Sequence, residues 1–249
     1  MTGATSIAVG LPEHSSSWRS LSIAAKLFIG LIICAGLSTL VYAGIHQSSK
    51  NIAEFICYLC IAILSSRLKV NLPGIAGTLS VNFLFILIGV LELSFTETLI
   101  LGAVSMVAQC LYPEKPKAIQ LTFNVCACCL STALAYVVYH NPMMNLLVGS
   151  SPVLLGISAS LYFIANAGSI AAVISLTERR PLTRILVDCY FWSFPYYLAG
   201  ATAAGIMTEM TRTADWPTSL LVLPLMALLF LTYRLQLSQA VARNQIAAT

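Results

Sequence analysis

From residue 27 to residue 235 the chain is a succession of apolar segments joined by short polar connections. About 20 apolar residues in a helix cross the hydrocarbon core of a bilayer, and a helix satisfies its own backbone hydrogen bonds in lipid. Eight segments are read, at roughly residues 27–45, 52–66, 78–93, 97–111, 118–139, 152–176, 186–207 and 219–235. The second, third and fourth are short, and two of them can instead form one tight hairpin dipping into the membrane. Only 9% of the 249 residues are charged and 58% are hydrophobic, against about 25% charged in a soluble domain. So few charges cannot coat a globule, which excludes a soluble enzyme, a disordered chain and a nucleic-acid binder.

The positions of the charges carry more than their number. With a cytoplasmic N terminus, eleven of the thirteen basic residues fall on cytoplasmic segments, and only Lys50 and Arg212 fall outside. Enrichment of Lys and Arg on alternate connections sets helix orientation, and losing one helix would scramble it. The expected fold is therefore an all-α polytopic membrane protein, a bundle of about eight transmembrane helices with N and C termini cytoplasmic. Residues 1–20 form a cytoplasmic tail, 21–235 the transmembrane domain and 236–249 the start of a cytoplasmic helix. A second reading of the start exists, because Val41-Tyr-Ala43 after an apolar stretch resembles a cleavable signal peptide, although the stretch better suits a retained helix. Connections on both sides are short, and no internal repeat is evident.

Helix boundaries are written locally. Ser94-Phe-Thr-Glu97 has the pattern of a capping box ahead of the fourth segment, and Asn51 with Glu54 caps the second. Pro181 suits the first turn of the seventh. Leu72-Pro-Gly-Ile-Ala-Gly77 is a flexible or broken lead into the third.

Eight cysteines invite a metal or redox reading, with Cys57-x-x-Cys60 and the group Cys126, Cys128 and Cys129. All lie in apolar segments, where cysteine acts as a small hydrophobe and partner ligands are lacking. His46 and His140 fall on the external side, where they can meet. Nucleophile elbow, zinc-protease, Walker and dinucleotide patterns are all missing, so neither an enzyme nor a cofactor is expected.

Polar residues inside lipid are candidates for function. Glu92 reads as either a solvated helix end or an acid lining a cavity. Asn82, Asn124 and Asn166 need hydrogen-bond partners, either on neighbouring helices or on a ligand. In the run from Tyr190 to Tyr197, Pro195 would free the Phe191 carbonyl and kink the seventh helix. Trp192, Tyr196 and Tyr197 around that hinge would then wall a site for a small apolar or aromatic ligand, unless they form an interfacial belt. Next to it, Gly200 with Ala204, Ala201 with Gly205, and Gly156 with Ser160 are small residues four apart, suited to close helix packing or to a homodimer.

Four stretches together resemble a known group. These are Leu72-Pro-Gly-Ile-Ala-Gly-Thr-Leu-Ser-Val-Asn-Phe83, Glu97-Thr-Leu, Lys115-Pro-Lys-Ala-Ile-Gln120 with Phe123-Asn124, and Trp192-Ser-Phe-Pro-Tyr-Tyr-Leu198. They are similar to patterns in MASE-type multi-pass sensor modules, which precede diguanylate cyclase or HD-GYP phosphodiesterase domains in bacteria. The resemblance runs over most of the chain from the second segment onward. It implies a module of the bacterial inner membrane that perceives a signal and relays it to a cytoplasmic output domain or partner acting on cyclic di-GMP. No GGDEF, EAL or HD-GYP motif is present, so the chain is either a sensor module by itself or the input half of one. The stretch from Tyr233 to Arg243 suits the start of a signalling helix. A rival is the substrate-binding membrane subunit of an energy-coupling-factor-like vitamin transporter, and a third reading is an assembly factor with no ligand.

Overall fold

A computed structural model describes residues 21–46, 51–66, 69–71, 78–80, 82–111, 116–187 and 194–214. These form a helical bundle with one short strand pair. In chain order the elements are α1 (Ile23–Ile45), α2 (Ile52–Ser65), β1 (Lys69–Asn71), β2 (Thr78–Ser80), α3 (Asn82–Glu92) and α4 (Phe95–Cys110). They continue with α5 (Ala118–His140), α6 (Pro142–Val148), α7 (Ser151–Glu178), α8 (Leu182–Ile185) and α9 (Phe194–Ala214). Among the described residues, α1, α5 and α7 are long and apolar enough to cross a membrane.

The caps behave as their chemistry requires. Asn51 accepts from the backbone N–H groups of Ala53 and Glu54. At α4, Glu97 Oε2 accepts from the Ser94 N–H at 3.0 Å and from the Ser94 hydroxyl at 2.8 Å. That reciprocal box occupies a buried carboxylate which would otherwise be costly in apolar surroundings.

The third apolar segment is not one helix. Thr78–Ser80 pairs antiparallel with Lys69–Asn71, with Lys69 opposite Ser80 and Asn71 opposite Thr78, and helix begins only at Asn82. At 1.5 Å per residue, α3 is roughly 16 Å long, about half a hydrocarbon core. Every residue from Asn82 to Val90 is buried. A helix that is hydrophobic on all sides belongs in an interior, and α3 is the centre of the main core. Tyr58 and Ala62 from α2, Leu101 from α4, and Leu155 and Tyr162 from α7 belong to the same cluster. The expected eighth segment at 219–235 lies outside the described residues; of the seventh, at 186–207, residues 186–187 and 194–207 are described, the latter within α9, which reaches Ala214.

One helix was not expected. α6 is initiated by Asn141, which accepts from Met143 N–H at 2.8 Å, and ends at Gly149 in the left-handed region. It has no buried residue, and Met143, Leu146 and Leu147 stand exposed. The outer surface elsewhere is equally apolar: Ile23, Leu27, Leu31 and Val41 on α1, and Val137 on α5, are exposed. Such a continuous apolar exterior is what a lipid-facing surface requires.

Helix ends sort into two groups. At one end the Ser22 hydroxyl donates to the Leu176 carbonyl, Phe28 packs on Phe123, and the Asn124 amide donates to Cys110 Sγ at 3.6 Å. At the other, the Thr96 hydroxyl donates to the Ala43 carbonyl at 2.9 Å, the Tyr136 hydroxyl to Leu93 and His140 Nε2 to Val90. The first group therefore gathers the start of α1 and α5 with the finish of α4 and α7. The second gathers the finish of α1, α3 and α5 with the start of α4.

Candidate functional site

Between α7 and α9 the small residues leave an opening. A Cβ at Gly205 would stand 3.3 Å from Leu155 Cδ2, so the helices touch there, whereas a Cβ at Gly156 would meet nothing within 4 Å. Beside that contact lies a cleft of about 490 Å³, within the range of about 300–1,000 Å³ typical of small-molecule sites. Its floor is formed by buried Leu155, Ala201 and Thr208, and Leu198 and Ile206 stand exposed at its lip. Leu91 of α3 and Tyr139 of α5 close the inner side. Ser151, Thr202 and Glu209 add polar groups to the lining. The site is thus an apolar trough with its polar groups toward the end shared by Glu92, His140 and Ser151.

Below the cleft, α9 is pressed into the core. A Cβ at Gly200 would overlap the Phe83 ring, and that ring stacks on Tyr197 at 4.3 Å. Tyr197 also meets Phe163 at 4.9 Å and Tyr162 at 6.0 Å. Asn166 lies beside the Tyr197 hydroxyl, its buried Oδ1 making no hydrogen bond among the described residues, and Cys128 Sγ lies 3.7 Å from the Tyr162 hydroxyl and 3.7 Å from the Gly102 carbonyl. Phe83, Cys128 and Tyr162 each lie roughly 14–18 Å along their helices from the same end of the bundle, so this polar and aromatic cluster sits at mid-depth.

The expected site residues are distributed over these features. Asn166 and Tyr197 are brought together, and Asn82 directly precedes the stacked Phe83 as the first residue of α3. Asn124 is apart from them, bonded to Cys110. Glu92 ends α3, with Oε1 buried and making no hydrogen bond among the described residues. Pro195 is the second residue of α9. Trp192, the Tyr196 side chain and Phe191, whose carbonyl the kink would free, lie outside the described residues. Among the described residues, none of the expected ligand-binding or hinge residues lines the cleft.

Thr208, Glu209 and Tyr139 were not singled out from sequence. The usable signal was continuity: Ala201, Gly205 and Thr208 follow one another at helical spacing, so the small-residue face leads directly into a polar end. His46 and His140 do not stack on each other. The rings of Tyr42, Phe95 and Tyr136 form a ladder between them, with His46 on Tyr42 at 4.3 Å and His140 on Tyr136 at 4.2 Å. Of the cysteines, Cys110, Cys126, Cys128 and Cys129 are buried while Cys34 and Cys60 are exposed, and all the described ones are free thiols. No group of three or more metal-ligating side chains occurs among the described residues.

Comparison with known proteins finds no matching family model, curated protein or solved structure.

Proposed function

We propose that the chain is a polytopic sensory module of the bacterial inner membrane, with eight spans and both termini cytoplasmic. It takes a small apolar ligand into the cleft between α7 and α9 and relays occupancy inward to a cytoplasmic output. The observation that carries this reading is the cleft, an apolar trough built by Gly156, Ala201 and Gly205 with few polar groups. The orientation follows from charge. Lys26, Lys117, Arg179, Arg180 and Arg184 belong to the end where α1 and α5 start and α7 finishes, which supports a cytoplasmic reading of that end and, with it, a cleft in the outer half of the bilayer.

Relay needs an element with two arrangements that a ligand binds unequally. α9 is that element here. It is one wall of the cleft through Ala201 and Gly205 and one partner of the mid-depth cluster through Tyr197, with Pro195 in its first turn as the pivot. The resemblance to MASE-type modules supports a cyclic di-GMP enzyme as the output, acting through the C-terminal segment.

Native mass spectrometry of the protein taken from bacterial membranes into nanodiscs tests the reading. The wild type is expected to retain a small molecule and the cleft-filling Gly156→Phe variant to lose it. A wild type with nothing bound, or retention unchanged in the variant, contradicts the proposal.

A further inference from the structure

The cleft and the mid-depth cluster leave Asn124 unused. It lies on α5, only 4% exposed, and directs its amide at a sulfur: Nδ2 donates to Cys110 Sγ at 3.6 Å. A thiol sulfur is a weak acceptor, so a buried primary amide gains little from it. A thiolate is a far better one, because a charged acceptor shortens and strengthens the bond. The other half of the amide, Oδ1, is also buried and makes no hydrogen bond among the described residues, which is costly for so polar an atom. A neutral thiol leaves both atoms poorly matched, whereas a cation held on the Cys110 thiolate suits both.

A second sulfur stands within reach of the same ion. One turn back along α4, Met106 Sδ accepts from the Cys110 thiol at 3.9 Å. A metal–sulfur bond is about 2.3 Å, so one ion can touch both sulfurs with an angle between the two bonds of about 115°. That is close to trigonal, and it puts the ion where the thiol hydrogen now points. Thiolate and thioether are soft donors, the pair that Cu(I) prefers. Structural zinc takes four ligands, and no group of three or more His, Cys, Asp and Glu side chains that could hold a metal occurs among the described residues. Charge agrees with this choice. One thiolate cancels the single charge of Cu(I), while a divalent ion on the same thiolate leaves a net charge beside Cys110, which is only 3% exposed.

The geometry points to a Cu(I) site formed by Cys110 Sγ and Met106 Sδ, with Asn124 as the positioning residue that donates to the thiolate. Binding exchanges a proton for the metal with no change of oxidation state. The Cys110 S–H bond breaks and its proton goes to water; the freed sulfur pair forms one Cu–S bond, and a lone pair of the Met106 thioether forms the other. Cys110 is the last residue of α4, so the site sits at a helix end rather than at the centre of the bilayer. It is the end that the basic residues mark as cytoplasmic, the compartment in which thiols stay reduced. The site is separate from the cleft and does not depend on the cleft binding anything.

The test is a titration of the reduced protein in nanodiscs with Cu(I), in competition with a chromophoric Cu(I) chelator. A Cys57→Ser/Cys60→Ser background removes the other closely spaced thiol pair. This protein is expected to hold one Cu(I) per chain, with two sulfur neighbours at about 2.3 Å in X-ray absorption, and to lose it on adding Cys110→Ser. Met106→Leu and Asn124→Ala are each expected to weaken binding about tenfold or more, with thermal midpoints in the absence of metal showing that the variants are folded. Zn(II) in the same assay is expected not to bind. A background protein that holds no Cu(I), or a Cys110→Ser variant that holds as much, overturns the site. If Cys110→Ser does not fold, the other two variants decide: unchanged affinity in both means a bare thiol adduct and overturns it as well. Zn(II) bound as tightly as Cu(I) overturns the choice of metal.

Discussion

The seam between α1 and α5 and the seam between α7 and α9 use small residues to opposite effect. In the first, Gly36 lies so close to Cys126 that an added Cβ would collide with both its side chain and its backbone. Phe28 on Phe123 and a cluster of Ile29, Ala127 and Val173 continue the contact. In the second, Gly205 touches Leu155 but Gly156 faces open space, and a cleft remains. A glycine permits backbones to approach, and what stands opposite decides whether they do. The closed seam holds the bundle together. The open one has room to change, and it lies against the helix whose other end is locked into the mid-depth cluster.

The largest effect that separates the two seams is expected at Gly36. Gly36→Leu must displace Cys126 and the α5 backbone, costing about 3 kcal/mol or more, and is expected to abolish recovery of folded protein in detergent. Gly30→Leu on the same helix, where a Cβ meets nothing within 4 Å, is expected to stay within about 0.5 kcal/mol of wild type. Equal behaviour of the two would remove the distinction between a closed seam and a lipid-facing surface.

Next in size is Gly200→Ala, which pushes on the Phe83 ring and is expected to cost about 2 kcal/mol. Pairing it with Phe83→Leu should recover part of that loss in a double-mutant cycle. Additive losses would show that Gly200 and Phe83 do not press on one another. Asn166→Ala removes the amide that lies beside the Tyr197 hydroxyl and is expected to cost about 1 kcal/mol, the scale of an interhelical polar contact in a membrane. Tyr197→Phe should cost the same, and the pair together no more than either alone. The smallest stability change is expected for Gly156→Phe, within about 0.5 kcal/mol, because its side chain enters existing space.

Much of this architecture is legible in the sequence. The caps at Asn51 and Ser94 are local, since donor and acceptor lie within three residues, and the structure forms both. Hydropathy located α1, α5 and α7 because length and composition suffice for a helix. The third segment failed for a physical reason: hydropathy scores Thr78–Ser80 and Asn82–Glu92 alike, and pairing with Lys69–Asn71 is a contact between separate stretches. The meeting of Asn166 with Tyr197 is non-local in the same way, with each partner chosen by how α7 and α9 are turned. Spacing puts Ala201 and Gly205 on one face of one helix and Gly156 and Ser160 on one face of another. It did not show that one of them would open into a cleft, which depends on Leu155 and Leu91 from other positions.

For a signal to pass inward, occupancy of the cleft must be felt at the mid-depth cluster through α9. Amide hydrogen exchange in nanodiscs, compared between the wild-type protein and the cleft-filling Gly156→Phe variant, measures this directly. Slowed exchange is predicted to run from the cleft residues 201–209 back through residues 197–200, where Tyr197 meets Phe83 and Asn166. Protection that stops at residue 201, or exchange that filling the cleft does not change, would contradict it.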